Sequence, residues 1–143
     1  MGHQDRRRYS KKHPGAQLNK TLAQSILRAS SNGILACASA HRLAKAQNYL
    51  PKEIGIQADL LELRIAQCQL GLFGSGQGKK NFNPDAGITP ELKERIFDAQ
   101  SDGIIDCKTC WQIAKEFKIS RINMGSVCER LEIRIKPCQL GVF

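Results

Sequence analysis

The chain has 143 residues, with 22 Lys and Arg against 13 Asp and Glu, for a net charge of +9. No apolar run approaches the ~18–20 residues of a membrane span, and the basic N-terminus lacks the apolar stretch of a secretory signal. A soluble, cytoplasmic protein without membrane contact is expected.

Residues 1–20 carry Arg6, Arg7, Arg8, Lys11, Lys12 and Lys20 against the single acid Asp5. Over half of the excess charge therefore sits on a segment with no hydrophobic period. Such a segment reads as a disordered basic arm, and Arg6, Arg7 and Arg8 suit nucleic-acid phosphates.

From residue 21 the chain says the same thing twice. Residues 21–73 and 91–143 align without a gap at an offset of 70, with 19 identities in 53 positions. The identities include Gly33/Gly103, Cys37/Cys107, Ala44-Lys45/Ala114-Lys115, Gly55/Gly125 and Arg64-Ile65/Arg134-Ile135. Both copies end in Cys-Gln-Leu-Gly, a tail expected to tuck its Leu and the following Phe73 or Phe143 back onto its own module. A module of ~55 residues buries only about 60% of its unfolded surface and is marginal alone. Two small helical modules are expected, 21–73 and 91–143, each with a compact core.

Between them, residues 74–90 are rich in Gly and Asn and read as a flexible linker. As a coil it spans about 20–25 Å, with an extended limit of about 55 Å. Successive major-groove half-sites lie about 34 Å apart, so the linker permits both modules on one duplex without fixing their spacing.

The second copy is the easier one to read. Thr89 caps a helix with Pro90 in its first turn and Glu91 against the dipole. Leu92, Ile96 and Ala99 form its apolar face. Asp102-Gly103 stops it, and Ile104-Ile105 is a brief extended segment. Asp106 caps a second helix with Cys107, Cys110, Ile113, Ala114 and Phe117 inward. Ser120 caps a third, running to about Arg130, with Ile122 or Met124, Val127 and Leu131 inward. Residues 133–136 alternate apolar and basic as a strand that Pro137 closes.

Ala114 is the small residue where two helices would cross. Ile113, Phe117, Ile119, Met124 and Val127 lie one before it and three, five, ten and thirteen after it. This pattern resembles the helix-turn-helix of bacterial transcription regulators, and the element order resembles its winged-helix variant. One departure is Lys118, at the turn position where such motifs usually carry glycine. The first copy departs further, with Leu43, Ala44, Gln47, Tyr49, Ile54 and Gln57 at the same places. Its third helix opens at Leu50-Pro51, a poor cap before a suitable first-turn proline.

The resemblance implies a mainly α fold: two tandem three-helix, winged-helix-like modules, each with a small β-element. It also implies double-stranded DNA as partner, read by the outward face of the third helix. In the second copy that face is Ser120, Arg121, Asn123, Ser126 and Arg130. Arg suits guanine, Asn suits adenine, and Ser120 at the helix N-terminus suits a phosphate. In the first copy it is Lys52, Glu53, Gly55, Ile56 and Gln57. Asp59 and Glu129 align and are expected to face solvent. Arg64 and Arg134 either reach the DNA backbone or pair with Glu62 and Glu132.

Cys107, Cys110, Cys128 and Cys138 invite a zinc reading. The nine residues between the last two do not match a zinc ribbon's two close pairs. Cys110 aligns with Ala40 and Cys128 with Ala58, as small buried residues would. Cys37/Cys107 begin the second helix, where the dipole lowers a thiol pKa, and Cys68/Cys138 end the strand, which leaves a redox or ligand switch open. His41 aligns with Trp111, which argues against a metal role for it.

No cofactor is expected, and no nucleophile–base–orienter set is present in both copies. An enzyme is therefore not expected. The expected function is DNA binding in transcription regulation, with the second copy and the basic arm dominating affinity. The alternatives are a protein-interaction module that has lost DNA binding, and a cysteine-based metal or redox sensor on the same fold.

Overall fold

The computed structural model describes residues 9–72, 83 and 85–142. Arg6, Arg7, Arg8, Phe73 and Phe143 lie outside the described residues, as does most of the connector. The chain divides into two compact units, Met1–Ala66 and Gln67–Phe143. Both are mainly helical with small strands.

Unit 1 begins with a 3₁₀ turn, Tyr9–Lys12. Residues 9–19 are therefore structured, which corrects the expectation of a disordered arm over that part. Asn19 caps α1 (Lys20–Ala29), its side chain accepting from the Leu22 amide at 3.1 Å. There follow β1 (Ile34–Ala36), α2 (Cys37–Gln47), α3 (Pro51–Leu60) and β2 (Arg64–Ala66). The poor cap at Leu50 is compensated from inside the helix, because the Glu53 carboxylate accepts from the Leu50 amide at 2.8 Å. Leu22, Ile26, Leu35, Ala40, Ile54 and Ala58 are buried at its centre.

Unit 2 repeats the order: α4 (Pro90–Ala99), β3 (Ile104–Ile105), α5 (Cys107–Glu116), α6 (Arg121–Arg130) and β4 (Arg134–Ile135). Thr89, Asp106 and Ser120 each accept from the amide three residues on, as their N-cap positions require. Of the two inward candidates in α6, Met124 is buried and Ile122 only partly so.

In each unit the last strand runs parallel to the first, Leu35 opposite Ile65 and Ile105 opposite Ile135. A wing is an antiparallel hairpin after the third helix. Here, among the described residues, that strand returns to the segment before the second helix instead. The physical reason lies at the end of the third helix: Glu62 and Glu132 adopt left-handed φ of 57° and 59° and turn the chain back at once. Left-handed positions recur at the same offset elsewhere, at Asn32/Asp102 and Asn48/Lys118. The duplication thus extends to individual backbone conformations, including residues that are not glycine.

The tail of the first repeat departs from expectation. Leu70 is fully buried in the core of unit 2, together with Leu92, Ile96, Ile113, Met124 and Val127. The boundary expected at residue 73 falls after Ala66. The Cys-Gln-Leu-Gly ending of the first copy therefore completes a core built mainly by the second.

Candidate nucleic-acid interface and a basic pocket

The face expected to read DNA in α6 is crossed by the chain that precedes α4. Ser126 is 1% exposed. Its hydroxyl accepts from the Asn83 amide at 2.6 Å and donates to the Ile122 carbonyl at 2.8 Å. Asn123 is half-buried and accepts from the Asn83 side chain at 3.0 Å. The Arg130 guanidinium donates to the Ala86 carbonyl. Asn123, Ser126 and Arg130 are thus engaged within the fold, and Ser126 is withdrawn from solvent altogether. The polar character that suggested base reading here serves to hold an overlying segment.

Unit 1 does the same with different residues. Gln57 is 9% exposed; it accepts from the Asn19 amide at 2.9 Å and donates to the Gln17 carbonyl at 3.1 Å. Asp59, expected in solvent, is buried against the arm, 2.7 Å from His13 and 3.1 Å from Lys12. Glu62 accepts from the Tyr9 and Ser10 amides at 2.8 and 3.1 Å. The hydrogen bonds from Ser10 and Tyr9 hold its carboxyl below the usual range against a small opposing effect of burial. Two of the basic residues of the arm region, Lys12 and its neighbour Lys11, therefore belong to an ordered segment of unit 1. Lys52 and Arg64 remain exposed.

Of the α6 residues expected to read DNA, those at its N-terminal end stay accessible, and Arg130 is exposed beside its bond to Ala86. Ser120 and Arg121 are exposed, as are Arg134 on the last strand and Lys136 just after it. The Ser120 hydroxyl is used as the helix cap, accepting from Asn123 at 3.0 Å. The Arg121 guanidinium lies over the Trp111 ring, 3.6 Å from its centroid. That cation–π stacking, with a 3.3 Å hydrogen bond to the Gln69 side chain, orients the guanidinium.

Beside this stack is a cavity of about 430 Å³ whose lining includes Lys108, Trp111, Gln112, Lys115, Arg121 and Gln139. Among the described residues, three cations and no carboxylate line it. Of this group, the sequence points to Arg121 alone as a site residue. Lys108, Trp111 and Lys115 recur at i, i+3 and i+7, one face of α5, which was the available signal. Arg121 and Gln139 come from other elements, and only the fold brings them to that face.

Cys68, Cys107, Cys110, Cys128 and Cys138 are free thiols. Among the described residues no group of three or more His, Cys, Asp or Glu side chains is arranged to hold a metal ion. Cys107 begins α5, where the dipole was expected to lower its pKa. Burial instead raises it to about 11, against the lowering hydrogen bonds from Gln139. The Cys110 thiol is pushed up by its hydrogen bond to Cys128 and by burial, and Cys68 is pushed up by burial. Cys110 and Cys128 are fully buried, as are their counterparts Ala40 and Ala58. These two cysteines fill places where alanine serves equally well.

No helix among the described residues is long and apolar enough to cross a membrane. No protein-family model matches the chain, and no curated protein or solved structure matches it either.

Proposed function

We propose that the protein binds double-stranded DNA in transcription regulation, with unit 2 as the reader and its contact surface centred on the start of α6. The supporting observation is the turn from α5 to α6. Lys118 takes the left-handed conformation, at φ 54°, that a tight helix-to-helix turn demands, and Ser120 caps the helix that follows. The turn leaves Arg121 exposed at a helix N-terminus with Lys108 and Lys115 nearby on α5. A helix N-terminus with guanidinium and ammonium groups around it attracts phosphate and places Arg121 for a guanine edge. The order of three helices supports the winged-helix-like reading, and Arg134 on the returning strand is the basic group nearest in role to a wing.

For unit 1 we infer an interaction or scaffolding role instead. The α3 face that would enter a groove is held by Asn19 and Gln17 through Gln57.

Anisotropy titration of the full chain with a labelled duplex at several salt concentrations tests the reading. The log of affinity should fall with log salt at about −0.9 per phosphate contacted. Arg121→Ala should weaken binding by about tenfold, roughly one good base or phosphate contact. Ser126→Ala should leave affinity unchanged, because Ser126 is buried. A flat salt response, or a larger loss with Ser126→Ala than with Arg121→Ala, overturns it.

A further inference from the structure

We propose that the cavity beside Trp111 is a binding site for a small organic phosphate of about mononucleotide size. Its volume, about 430 Å³, lies in the range of roughly 300–1,000 Å³ typical of small-molecule sites. Its charge is one-sided. Lys108 and Lys115 stand two helical turns apart on one face of α5, Arg121 faces them from the start of α6, and among the described residues no acid lines the recess. Such an array suits a phosphomonoester, which carries close to two negative charges at neutral pH. The Trp111–Arg121 stack supplies the other half of the recognition. A guanidinium held flat against an indole presents its second face for stacking on a planar ring. Gln112 and Gln139 add amide groups able to bond ring or ribose edges.

Comparison between the copies separates this site from the scaffold. Lys115 and Gln139 have identical counterparts in Lys45 and Gln69, but Lys108, Trp111 and Arg121 stand where the first copy has Ala38, His41 and Pro51. Both copies fold, so folding does not require these three residues. They are what makes the recess basic and aromatic. The consequence for DNA rests on the proposed function above. An occupant would engage Arg121 and bring negative charge to the start of α6, so it would antagonise DNA.

Trp111 is the only tryptophan in the chain, so its emission reports on this site. The full chain, without DNA, is titrated with adenosine monophosphate and with adenosine. The expected result is a saturable change with the monophosphate at a Kd of about 1 mM or tighter, and none with adenosine. Lys108→Met and Lys115→Met should each weaken binding by about tenfold while leaving the melting temperature unchanged, since both lysines are exposed. Lys93→Met on α4 should behave as the parent. No response to the monophosphate, or an equal response to adenosine, would overturn the proposal. Because DNA is absent from the titration, failure of DNA binding would leave the binding result intact and remove only the antagonism.

Discussion

The backbone carbonyl of Leu70 rests against the Cα of Gly125, so closely that a Cβ on Gly125 would penetrate it. Glycine inside a helix normally costs about 1 kcal/mol relative to alanine, so Gly125→Ala on an open helix face would stabilise. Here the neighbour is backbone and cannot rotate away. Gly125→Ala should therefore destabilise unit 2 by about 1–3 kcal/mol as the 68–71 segment is displaced from the core. Urea unfolding measures it, and a stabilised variant would show that the tail does not dock on α6.

The kept glycine was visible as an identity with Gly55, but its reason was not. In sequence Gly55 belongs to the outward face of the third helix, and nothing local says that another segment's carbonyl needs the space at Gly125. The same limit governs the site. Thr89, Asp106 and Ser120 were legible as caps because their partners lie three residues away. Ser126 and Asn123 look in sequence like a DNA face because their partner, Asn83, lies 43 and 40 residues away. Polar residues that bind a distant stretch of backbone look, in sequence, like polar residues that face solvent.

Glu62 ties the arm to unit 1 through the Tyr9 and Ser10 amides, and its carboxyl titrates lower in the fold than in the unfolded chain. A lowered folded-state pKa means stabilisation that is complete above the unfolded value, near 4.5. It is lost as pH falls through the folded value. Acidification below about pH 4.5 should therefore loosen Tyr9 and Ser10 before the helices melt. Glu62→Gln should release them at neutral pH. Amide hydrogen exchange of Tyr9 and Ser10 is the measurement, and equal protection in parent and variant would sink the idea.

Burial of the thiols bears on the sensor reading. A pKa of about 11 leaves Cys107 only about one part in a thousand thiolate at pH 8, and Cys110 lies further in the same direction. Native protein should therefore leave these two thiols largely unalkylated by iodoacetamide over the time in which urea-unfolded protein is fully labelled, as peptide mass mapping would show. Addition of zinc should leave the melting temperature unchanged. Fast native labelling of Cys107, or a zinc-dependent rise in melting temperature, would restore the sensor.

Lys118 closes the turn between α5 and α6 in a left-handed conformation, φ 54°, where the first copy uses Asn48 at φ 65°. The side chain is exposed, so its backbone conformation dominates its effect on stability. A non-glycine residue pays roughly 1–2 kcal/mol for this region, and asparagine less because its short amide bonds locally. Glycine relieves that strain but regains about 0.5–1 kcal/mol of freedom in the unfolded chain. Lys118→Gly should accordingly stabilise unit 2 by a few tenths to about 1 kcal/mol, and Lys118→Asn by a similar or smaller amount. The two variants also divide geometry from charge. Both preserve the turn that presents Arg121, yet each removes a cation from the surface proposed to meet DNA. If the surface is used as proposed, stability should rise while the salt slope of DNA binding falls by up to about 0.9, the value of one phosphate contact. A fall in stability for both variants would mean that the φ at residue 118 carries no strain and that its lysine holds the turn by some other contact.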